Sequence, residues 1–350
     1  MAKCGLENFF GNRETAAALA DMIARGRIAQ TLLFSGPEGI GKATLARRFA
    51  GRLVGEPQKI EQDDLSLAAN AAILAEREKW TGEKRNDDPL LFASHPDFVT
   101  FAPDGPLRQI TIPQMRLLKD RAPLMPLKGA WRVFLIDQID RANEQAANSL
   151  LKTLEEPPPH LVLILTARNP YDLLPTIRSR AVPFRLSPLG DEEMREFIQF
   201  RGLDNPERRR KLAEGSPGLA VSLDLESYDR RRVAMLALVK VAGGMEPFGS
   251  WLKHSESIAM RRTEKLDSYL EVLYLLLEDV LRLANGPAAI RNEDVRAELD
   301  AVARRVSFDW LRAAVAKVDE LMELVRRNIQ KSIALDALAV ELRAVGPWRG

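Results

Sequence analysis

The stretch Gly-Pro-Glu-Gly-Ile-Gly-Lys, from Gly36 to Lys42, decides the fold of this chain. It directly follows a short apolar run, Leu32 to Phe34, and precedes a segment with the apolar spacing of a helix. The glycines, including Gly39 and Gly41, let backbone N–H groups turn inward around phosphate oxygens. The N-terminus of the next helix and the Lys42 ammonium add positive charge at the same place. The sequence therefore predicts a phosphate-binding loop between a strand and a helix.

One position of this loop departs from the form that holds magnesium. The full motif has Ser or Thr directly after the lysine, because that hydroxyl coordinates Mg²⁺. Here the residue is Ala43, and Thr44 follows it. One helical step rotates a side chain by about 100°, so Thr44 is directed away from the metal position, although it remains the alternative hydroxyl. We expect a loop that can bind phosphate and holds magnesium poorly.

A second signal is the apolar strand Val133 to Ile136, which is followed by Asp137 and Gln138. An acid at the end of such a strand is typical of a Walker B motif, in which the carboxylate orients magnesium. In working ATPases of this build a glutamate normally follows and polarises the attacking water. Gln138 has the same shape but cannot accept a proton. The alternative is a buried strand that ends in a solvated aspartate.

The segments around these motifs alternate between strands and helices. Leu161 to Leu165 is another apolar strand, and Asn143 to Leu154 has the spacing of an amphipathic helix that ends before Pro157. Strands separated by helical crossovers indicate an α/β domain with a mostly parallel sheet. Farther upstream, Leu65 to Trp80 is consistent with one helix, and Thr81 to Pro89 with a polar loop.

Beyond Ser187 the strand patterns end, and the chain is predicted to be helical. Two short helices, Asp191 to Arg201 and Pro206 to Glu214, precede a break at Gly215 to Gly218. From Tyr228 onward, apolar residues recur at three- and four-residue spacing. These stripes comprise Leu266, Leu270, Leu273, Leu277, Val280 and Leu281, and then Leu311, Val315, Val318, Leu321 and Val325. The pattern predicts a small and then a larger helical domain.

The charge balance leaves nucleic-acid contact open. The chain has 350 residues and a formal net charge of only +2, and a basic patch can still lie within such a balanced sum. The basic runs Arg208 to Lys211 and Arg230 to Arg232 are interpreted as solvated helix faces, with nucleic-acid contact as the alternative.

The sequence contains neither an apolar signal core nor a membrane span, so a cytoplasmic protein without membrane contact is expected.

The metal-ligating residues are few. The one cysteine, Cys4, excludes a disulfide within the chain and a multi-cysteine zinc site. His95, His160 and His254 are scattered without ligand spacing. We therefore expect no metal site and no bound zinc.

Two arginines, Arg178 and Arg180, stand close together after the strand that ends near Leu165. A planar guanidinium can bridge two phosphate oxygens, which the point charge of a lysine cannot do. Charge alone does not separate this role from that of a solvated surface pair.

Taken together, these motifs resemble those of bacterial clamp-loader subunits of the AAA+ family. The resemblance rests on Gly36 to Lys42, the Asp137 strand, Asn148 to Pro158 and Ile177 to Arg180, and it is most specific from Leu150 to Pro158. Within that family, the degraded site and the stretch Gly215 to Ala220 look like the delta-prime group. The resemblance implies an AAA+ P-loop domain over 1–187, a helical lid domain over 188–226 and a helical collar domain over 227–350.

The resemblance also implies a role. The chain would be the rigid member of a ring with gamma/tau motor subunits and a delta subunit, which loads a sliding clamp onto primed DNA. It implies that Arg180 is offered to ATP bound by a neighbour; Arg178 is the alternative. ATP or ADP would bind weakly at its own loop, through Gly36 to Thr44 and Asp137, without hydrolysis. Ala181 stands where this family has a cysteine beside the arginine.

Two further departures from the family concern metal and nucleotide. Many members carry a four-cysteine zinc module after the P-loop helix, and here residues 55–96 occupy that place without a cysteine. Motor subunits carry a nucleotide-sensing arginine near the start of a lid helix, where this chain has Pro217 and Gly218. The second departure agrees with Ala43 and Gln138 in indicating a site that does not hydrolyse ATP.

Three other functions remain open from the sequence. The first is an active AAA+ ATPase, either a clamp-loader motor subunit or a helicase, which Ala43 and Gln138 oppose. The second is a small-molecule kinase, which the helical C-terminal third and the stretch Leu150 to Pro158 oppose. The third is a DNA-binding helical module that carries a vestigial P-loop.

Overall fold

The computed structural model describes Leu6 and residues 9–261, 264–286, 288–324 and 330–346. They form two compact units, one from Met1–Pro206 with Ala213–Val221 and the other from Glu207–Leu212 with Ser222–Gly350. The division into domains at 187 and 226 stays a prediction. Cys4 and Val325 lie outside the described residues.

A mostly parallel sheet forms the centre of the first unit, as the sequence predicts. Its strands are β1 (Thr31–Ser35), β2 (Phe92–His95), β3 (Phe98–Phe101), β4 (Arg132–Ile136), β5 (Leu161–Ala167) and β6 (Val182–Arg185). They pair in the order β2-β3-β4-β5-β1-β6. Only the pair β2 and β3 is antiparallel.

The central strands are buried on both faces. Every residue of β1, β4 and β5 is buried. Successive side chains pack into different apolar clusters, since Leu32 and Phe34 belong to one cluster and Leu33 belongs to the other. Two covered faces explain why these strands read as continuous apolar runs rather than as alternating patterns.

The helices of the first part of the chain lie before, between and after these strands in sequence. They are α1 (Arg13–Ala24), α2 (Lys42–Val54), α3 (Pro57–Ile60), α4 (Ala68–Arg77), α5 (Gly82–Asp87), α6 (Ile112–Arg121), α7 (Glu144–Glu155), α8 (Pro175–Arg178), α9 (Asp191–Arg201), α10 (Pro206–Ala213) and α11 (Pro217–Ser222). Single 3-10 turns occur at Glu61–Asp63, Ile139–Arg141, Pro170–Asp172 and Glu293–Val295.

The sequence interpretation was wrong for residues 65–89. The expected helix from Leu65 to Trp80 is shorter, because the Asn70 side chain donates to two backbone carbonyls upstream and holds a turn before α4 begins. The expected loop contains α5, which Thr81 caps by accepting a hydrogen bond from the backbone of Lys84 at 3.3 Å. The break expected at Gly215 to Gly218 is also shorter, since α11 begins at Pro217.

A buried ion pair fixes the segment that contains α4 and α5. Arg77 donates to both carboxylate oxygens of Asp104, at 3.0 and 2.7 Å, and to the carbonyl of Asp88 at 2.6 Å. The side chains of Arg77 and Asp104 are only 5% and 2% exposed. The Trp80 ring lies 4.5 Å from the guanidinium carbon. One guanidinium therefore joins the end of α4, the end of α5 and the chain that follows β3.

Arg77→Ala is expected to lower the free energy of unfolding by about 3–5 kcal/mol, because the Asp104 carboxylate would remain buried without its partner. Urea denaturation followed by circular dichroism measures this change. Lys79→Ala, at an exposed position two residues away, is the matched control and should change stability by less than about 0.5 kcal/mol. Equal midpoints for the two variants would show that the pair does not anchor this segment.

The second unit is helical. Its helices are α12 (Leu225–Ala242), α13 (Phe248–Met260), α14 (Leu266–Ala284), α15 (Arg296–Arg305), α16 (Phe308–Leu324) and α17 (Lys331–Ala344). Trp251 and Trp310 are fully buried in its core, and their indole N–H groups donate to Asp336 and to the carbonyl of Leu342. None of the described helices is long and apolar enough to cross a membrane.

Most of the predicted apolar stripe residues line this core. On α14, the residues Leu266, Leu270, Leu273, Leu277 and Val280 are buried. On α16, Leu311 and Val318 are buried, but Val315 is exposed, and Ala314 takes the place expected for it. The prediction of helices with buried apolar stripes is therefore confirmed, with that one position corrected.

Candidate functional site

Three neighbouring parallel strands bring the predicted phosphate-binding and acidic residues to one edge of the sheet. Gly36 follows β1, and Asp137 follows β4. Strand β5 lies between them, with Thr166 opposite Phe34 of β1 and Leu165 opposite Ile136 of β4. The carboxyl ends of parallel strands are the common ligand-binding edge of such sheets.

The glycines of the loop are required by both conformation and space. Gly36 has φ 144° and Gly39 has φ 74°, values that other residues rarely adopt. A Cβ atom on Gly36 would stand 2.3 Å from the carbonyl oxygen of Leu186, and one on Gly39 would stand 2.3 Å from Ser216 Oγ. Gly41 is the N-cap of α2, and the Phe9 ring packs against it.

Lys42 is turned back onto its own loop. Its Nζ donates to the carbonyl oxygens of Gly36 and Pro37, at 2.7 Å in both cases. The residue is only 9% exposed. This burial lowers the pKa of Lys42, and the nearby carboxylates of Asp137 and Asp140 act in the opposite direction. The ammonium that would hold a phosphate here binds backbone carbonyls instead.

The acid at the end of β4 is buried against a hydroxyl of β5. Thr166 Oγ1 donates to Asp137 Oδ1 at 2.5 Å, and it accepts a hydrogen bond from the backbone N–H of Gln138 at 2.8 Å. Burial raises the pKa of Asp137, while the hydrogen bond from Thr166 lowers it.

The first turn of α2 offers little to a metal ion. The methyl group of Ala43 is half-buried and packs against the apolar cluster beneath the loop. Thr44 is half-buried in the same turn. Asp140 lies near Lys42 and accepts a hydrogen bond from the backbone N–H of Arg168 at 3.0 Å.

Residues at the start of α11 cover the loop. The backbone N–H of Gly218 donates to the Gly39 carbonyl at 2.7 Å, and Ser216 Oγ donates to the Glu38 carbonyl at 3.1 Å. A Cβ atom on Gly218 would stand 2.8 Å from Gly39 O and 2.9 Å from Gly39 Cα. A side chain at position 218 therefore cannot fit without opening this contact.

The two candidate arginines have separate partners. The Arg178 guanidinium lies over the Tyr171 ring, 5.1 Å from its centroid. Arg180 donates to Glu155 at 2.8 Å and to the Thr176 carbonyl at 3.0 Å. The Arg180 side chain is 34% exposed, so its guanidinium is accessible from outside the chain.

The histidines occupy separate structural positions. His95 is buried and accepts a hydrogen bond from the Asp97 backbone, His160 contacts the Leu124 carbonyl, and His254 stacks on Trp251. In the described part of the chain, no three His, Cys, Asp or Glu side chains gather as a metal site would require. The absence of zinc stays a prediction.

Acidic neighbours accompany the two basic runs. In the first, Arg210 pairs with Glu207 at 2.9 Å. In the second, Arg232 pairs with Asp294 at 2.6 Å, and Arg230 pairs with Glu226 at 2.7 Å. Arg209 and Arg232 are nevertheless buried, at 8% and 7% exposed. The interpretation of both runs as solvated helix faces is therefore wrong at these two positions, where the guanidinium groups bind the Leu223 carbonyl and Asp294 within the chain.

Sequence reasoning missed three residues of these arrangements. Thr166 is a polar residue at the end of an apolar strand, and that position was a usable signal. Gly218 was noted only for the arginine it lacks, and its contact with the loop depends on a fold that places distant segments together. Glu155 belongs to the stretch that carries the family resemblance, but the sequence does not indicate its pairing with Arg180, 25 residues away.

Comparison with known proteins gives one family and several relatives. Residues 11–190 match the family model described as DNA polymerase III, delta subunit. A DNA polymerase III subunit delta' of Escherichia coli is 27% identical over 268 residues, which cover 75% of this chain and 78% of that protein. The subunit delta' of Pseudomonas aeruginosa is 30% identical over 220 residues, covering 62% of each chain.

Similarity to longer relatives is confined to part of their length. A DNA polymerase III subunit gamma/tau of Mycobacterium tuberculosis is 33% identical over 186 residues, which cover 51% of this chain but only 28% of that protein. Among solved structures, a gamma subunit-related protein of Thermotoga maritima aligns over 93% of this chain and 98% of its own, with 17% identity and a TM-score of 0.47.

Proposed function

Because this chain belongs to the family described as DNA polymerase III, delta subunit, we propose that it acts as the delta-prime-type stator of a clamp loader. In this role it is a rigid member of a hetero-oligomeric ring with gamma/tau-type motor subunits and a delta-type subunit. The ring loads a sliding clamp onto primed DNA during replication. The family match covers more than half of the chain and includes every residue of the P-loop, Asp137 and Arg180.

The observation that carries the stator role is the closed state of the P-loop. Lys42 binds the carbonyls of the loop from within, and Gly218 binds the Gly39 carbonyl from outside. Ala43 and Gln138 lack the hydroxyl and the carboxylate that hydrolysis requires. Lys42 would have to leave the carbonyls of the loop to reach a phosphate, so we propose that this chain binds nucleotide weakly, without hydrolysis, and holds no zinc.

The partners follow from the same role. A subunit that does not turn over ATP contributes to a motor by holding its neighbours and by completing their sites. Arg180 is accessible and pairs with Glu155 and the Thr176 carbonyl, which supports a task at a neighbour's nucleotide. We propose that Arg180 acts in trans as an arginine finger, with Arg178 as the alternative.

An active AAA+ ATPase, such as a motor subunit or a helicase, is the second candidate. The similarity to gamma/tau and tau subunits favours it. Ala43 and Gln138, which stand where a hydroxyl and a carboxylate are needed, oppose it. ATP turnover by the chain alone separates the two candidates.

Reconstitution tests the proposed role. The purified chain is mixed with gamma/tau-type and delta-type subunits of its own organism, and assembly is followed by gel filtration with light scattering. Clamp loading onto primed DNA is then measured with and without this chain. We expect one assembly of defined mass and loading that requires the chain. Failure of the chain to co-elute with either partner would contradict the proposal.

Removal of residues 227–350 is expected to abolish assembly while leaving the N-terminal part folded. Besides its own core, that region exposes apolar side chains such as Val233, Phe308 and Ile333, which suit helix-on-helix packing against another subunit. Circular dichroism shows whether the remaining chain is folded, and gel filtration measures whether it joins its partners. Continued co-elution of the truncated chain with motor subunits would show that assembly does not depend on this region.

A further inference from the structure

Arg180 is held by a carboxylate from another segment of the same chain. Its Nη2 donates to Glu155 Oε1 at 2.8 Å, and its Nη1 donates to the Thr176 carbonyl at 3.0 Å. Glu155 is the last residue of α7, and Thr176 belongs to the short helix α8. Two elements therefore fix the position of one guanidinium.

Each of these acceptors favours a cation for a separate reason. Glu155 lies at the C-terminal end of its helix, where the helix dipole carries partial negative charge. The carboxylate of Glu155 is therefore unfavourable there unless a cation lies beside it. Thr176 lies in a helix of a single turn, whose carbonyls lack partners within the helix. The Arg180 guanidinium between them offsets the negative charge of Glu155 and donates a hydrogen bond to the Thr176 carbonyl.

The arrangement leaves part of the guanidinium unused. Its contacts with Glu155, with the Thr176 carbonyl and with Ser179 Oγ at 3.4 Å use three of its five N–H donors. A bidentate contact with phosphate oxygens needs two donors. The guanidinium can thus bind a phosphate group while it keeps its present contacts.

We propose that Glu155 is a positioning residue for Arg180, whose carboxylate holds the guanidinium in the pose that reaches a nucleotide bound to a neighbouring subunit. The inference rests on the proposed function, in which Arg180 acts in trans. Glu155 acts only through Arg180 and does not itself contact the nucleotide.

The size of the expected effect follows from the exposure of the pair. The side chains of Arg180 and Glu155 are 34% and 51% exposed, and exposed ion pairs contribute little to folding. Loss of Glu155 should therefore leave stability and assembly unchanged. It should lower the fraction of time that Arg180 spends in the productive pose about fivefold, which corresponds to about 1 kcal/mol, the upper end for such pairs.

The test uses the reconstituted complex and its DNA-stimulated ATP turnover. Arg180→Ala first defines the part of the ATP turnover that depends on the boundary between this chain and the neighbouring subunit whose nucleotide Arg180 reaches. Glu155→Ala is expected to remove about four fifths of that part, the equivalent of a fivefold fall in rate. The fall should occur in kcat at unchanged KM for ATP, because an arginine finger acts mainly on the transition state.

Two variants separate positioning from a simple change of charge. Glu155→Gln keeps an oxygen that accepts from Arg180 Nη2, so it should retain most of the turnover that Glu155→Ala loses. Glu156→Ala removes the same charge at the next residue, which is also exposed, and should leave turnover unchanged. Glu155→Ala combined with Arg180→Ala should lose no more than Arg180→Ala alone.

The outcomes distinguish this inference from the function it rests on. If Arg180→Ala loses turnover while Glu155→Ala keeps it or raises it, the positioning role is wrong and the arginine finger stands. An equal loss in Glu155→Ala and Glu156→Ala would also overturn the positioning role. If Arg180→Ala itself turns over ATP normally, the proposed function of Arg180 is wrong.

Discussion

The isolated chain is expected to turn over ATP at less than about 0.01 s⁻¹, which is about 10²-fold below the low end for ordinary enzymes. Ala43 removes the hydroxyl that holds magnesium, and Gln138 removes the carboxylate that polarises water. Groups that act in this way each contribute about 10²-fold or more to a rate. Phosphate release from purified protein, measured with a coupled assay, gives the rate directly.

The Lys42→Ala variant is the control for contaminating ATPases. Turnover that persists in this variant does not come from the P-loop. A rate of about 1 s⁻¹ in the natural chain that is lost in Lys42→Ala would contradict the prediction and favour the motor-subunit alternative.

The contacts of Lys42 and Gly218 with the P-loop are a second reason to expect slow ATP turnover. A double substitution can separate this reason from the absence of the hydroxyl and the carboxylate. Ala43→Thr with Gln138→Glu restores both missing groups, but Gly218 still binds the carbonyl of Gly39 and Lys42 still binds its own loop. We expect this double variant to gain less than about 10-fold in turnover, well below the product of two groups worth about 10² each. A full gain would show that chemistry alone, and not access, silences the site.

The parts of the fold that the sequence predicted are those with strong local signals. Strands β1, β4 and β5 are buried on both faces, so their composition is apolar throughout and visible without any partner. The glycines of the P-loop are required by local conformation and appear at fixed spacing. Helix α7 has a clear apolar side, and Pro157 follows closely after its end.

The parts that were missed depend on tertiary contacts. Strand β6 lies at the sheet edge, is largely exposed and contains Pro183, so its composition gives no strand signal. Strands β2 and β3 have four residues each, which is too short for a clear period. The pairing of Arg77 with Asp104 spans 27 residues and decides the local fold without any local pattern.

The candidate site shows the same division. Gly36, Lys42 and Asp137 were predicted, and the structure brings them to one edge of the sheet. The contact of Gly218 with Gly39 joins segments far apart in sequence, and no spacing rule could have predicted it. The same holds for the hydroxyl of Thr166 on the carboxylate of Asp137.

Arg180→Ala in the reconstituted complex is expected to lower ATP turnover at one subunit boundary by about 10³-fold or more, the range measured for arginine fingers in other phosphoryl-transfer systems. Clamp loading onto primed DNA should fall with it. Assembly should be unchanged, because the side chain is partly exposed and its ion pair contributes little to stability. Gel filtration checks assembly, and single-turnover kinetics isolate the affected boundary.

The choice of Arg180 over Arg178 rests on what each guanidinium touches. Arg178 stacks on the exposed ring of Tyr171, a contact that suits a structural role. Arg180 is held at its Nη atoms by Glu155 and Thr176 and keeps donors for a further anion. Arg178→Ala is therefore the matched control and should retain most of the turnover. The reverse result, with Arg178→Ala inactive and Arg180→Ala active, would show that Arg178 is the arginine finger.

Arg180→Lys separates charge from geometry at this position. A lysine keeps the positive charge but lacks the planar fork that binds two phosphate oxygens at once. If the finger acts through bidentate contact with the transferring phosphate, the lysine variant should load clamps nearly as poorly as Arg180→Ala. If a point charge were enough, the lysine variant would recover most of the activity. Since Glu155 and Thr176 hold two different Nη atoms of the guanidinium, a single ammonium cannot reproduce both contacts. We therefore expect Arg180→Lys to load clamps poorly for two reasons. The lysine lacks the planar fork, and it cannot be held by both Glu155 and Thr176.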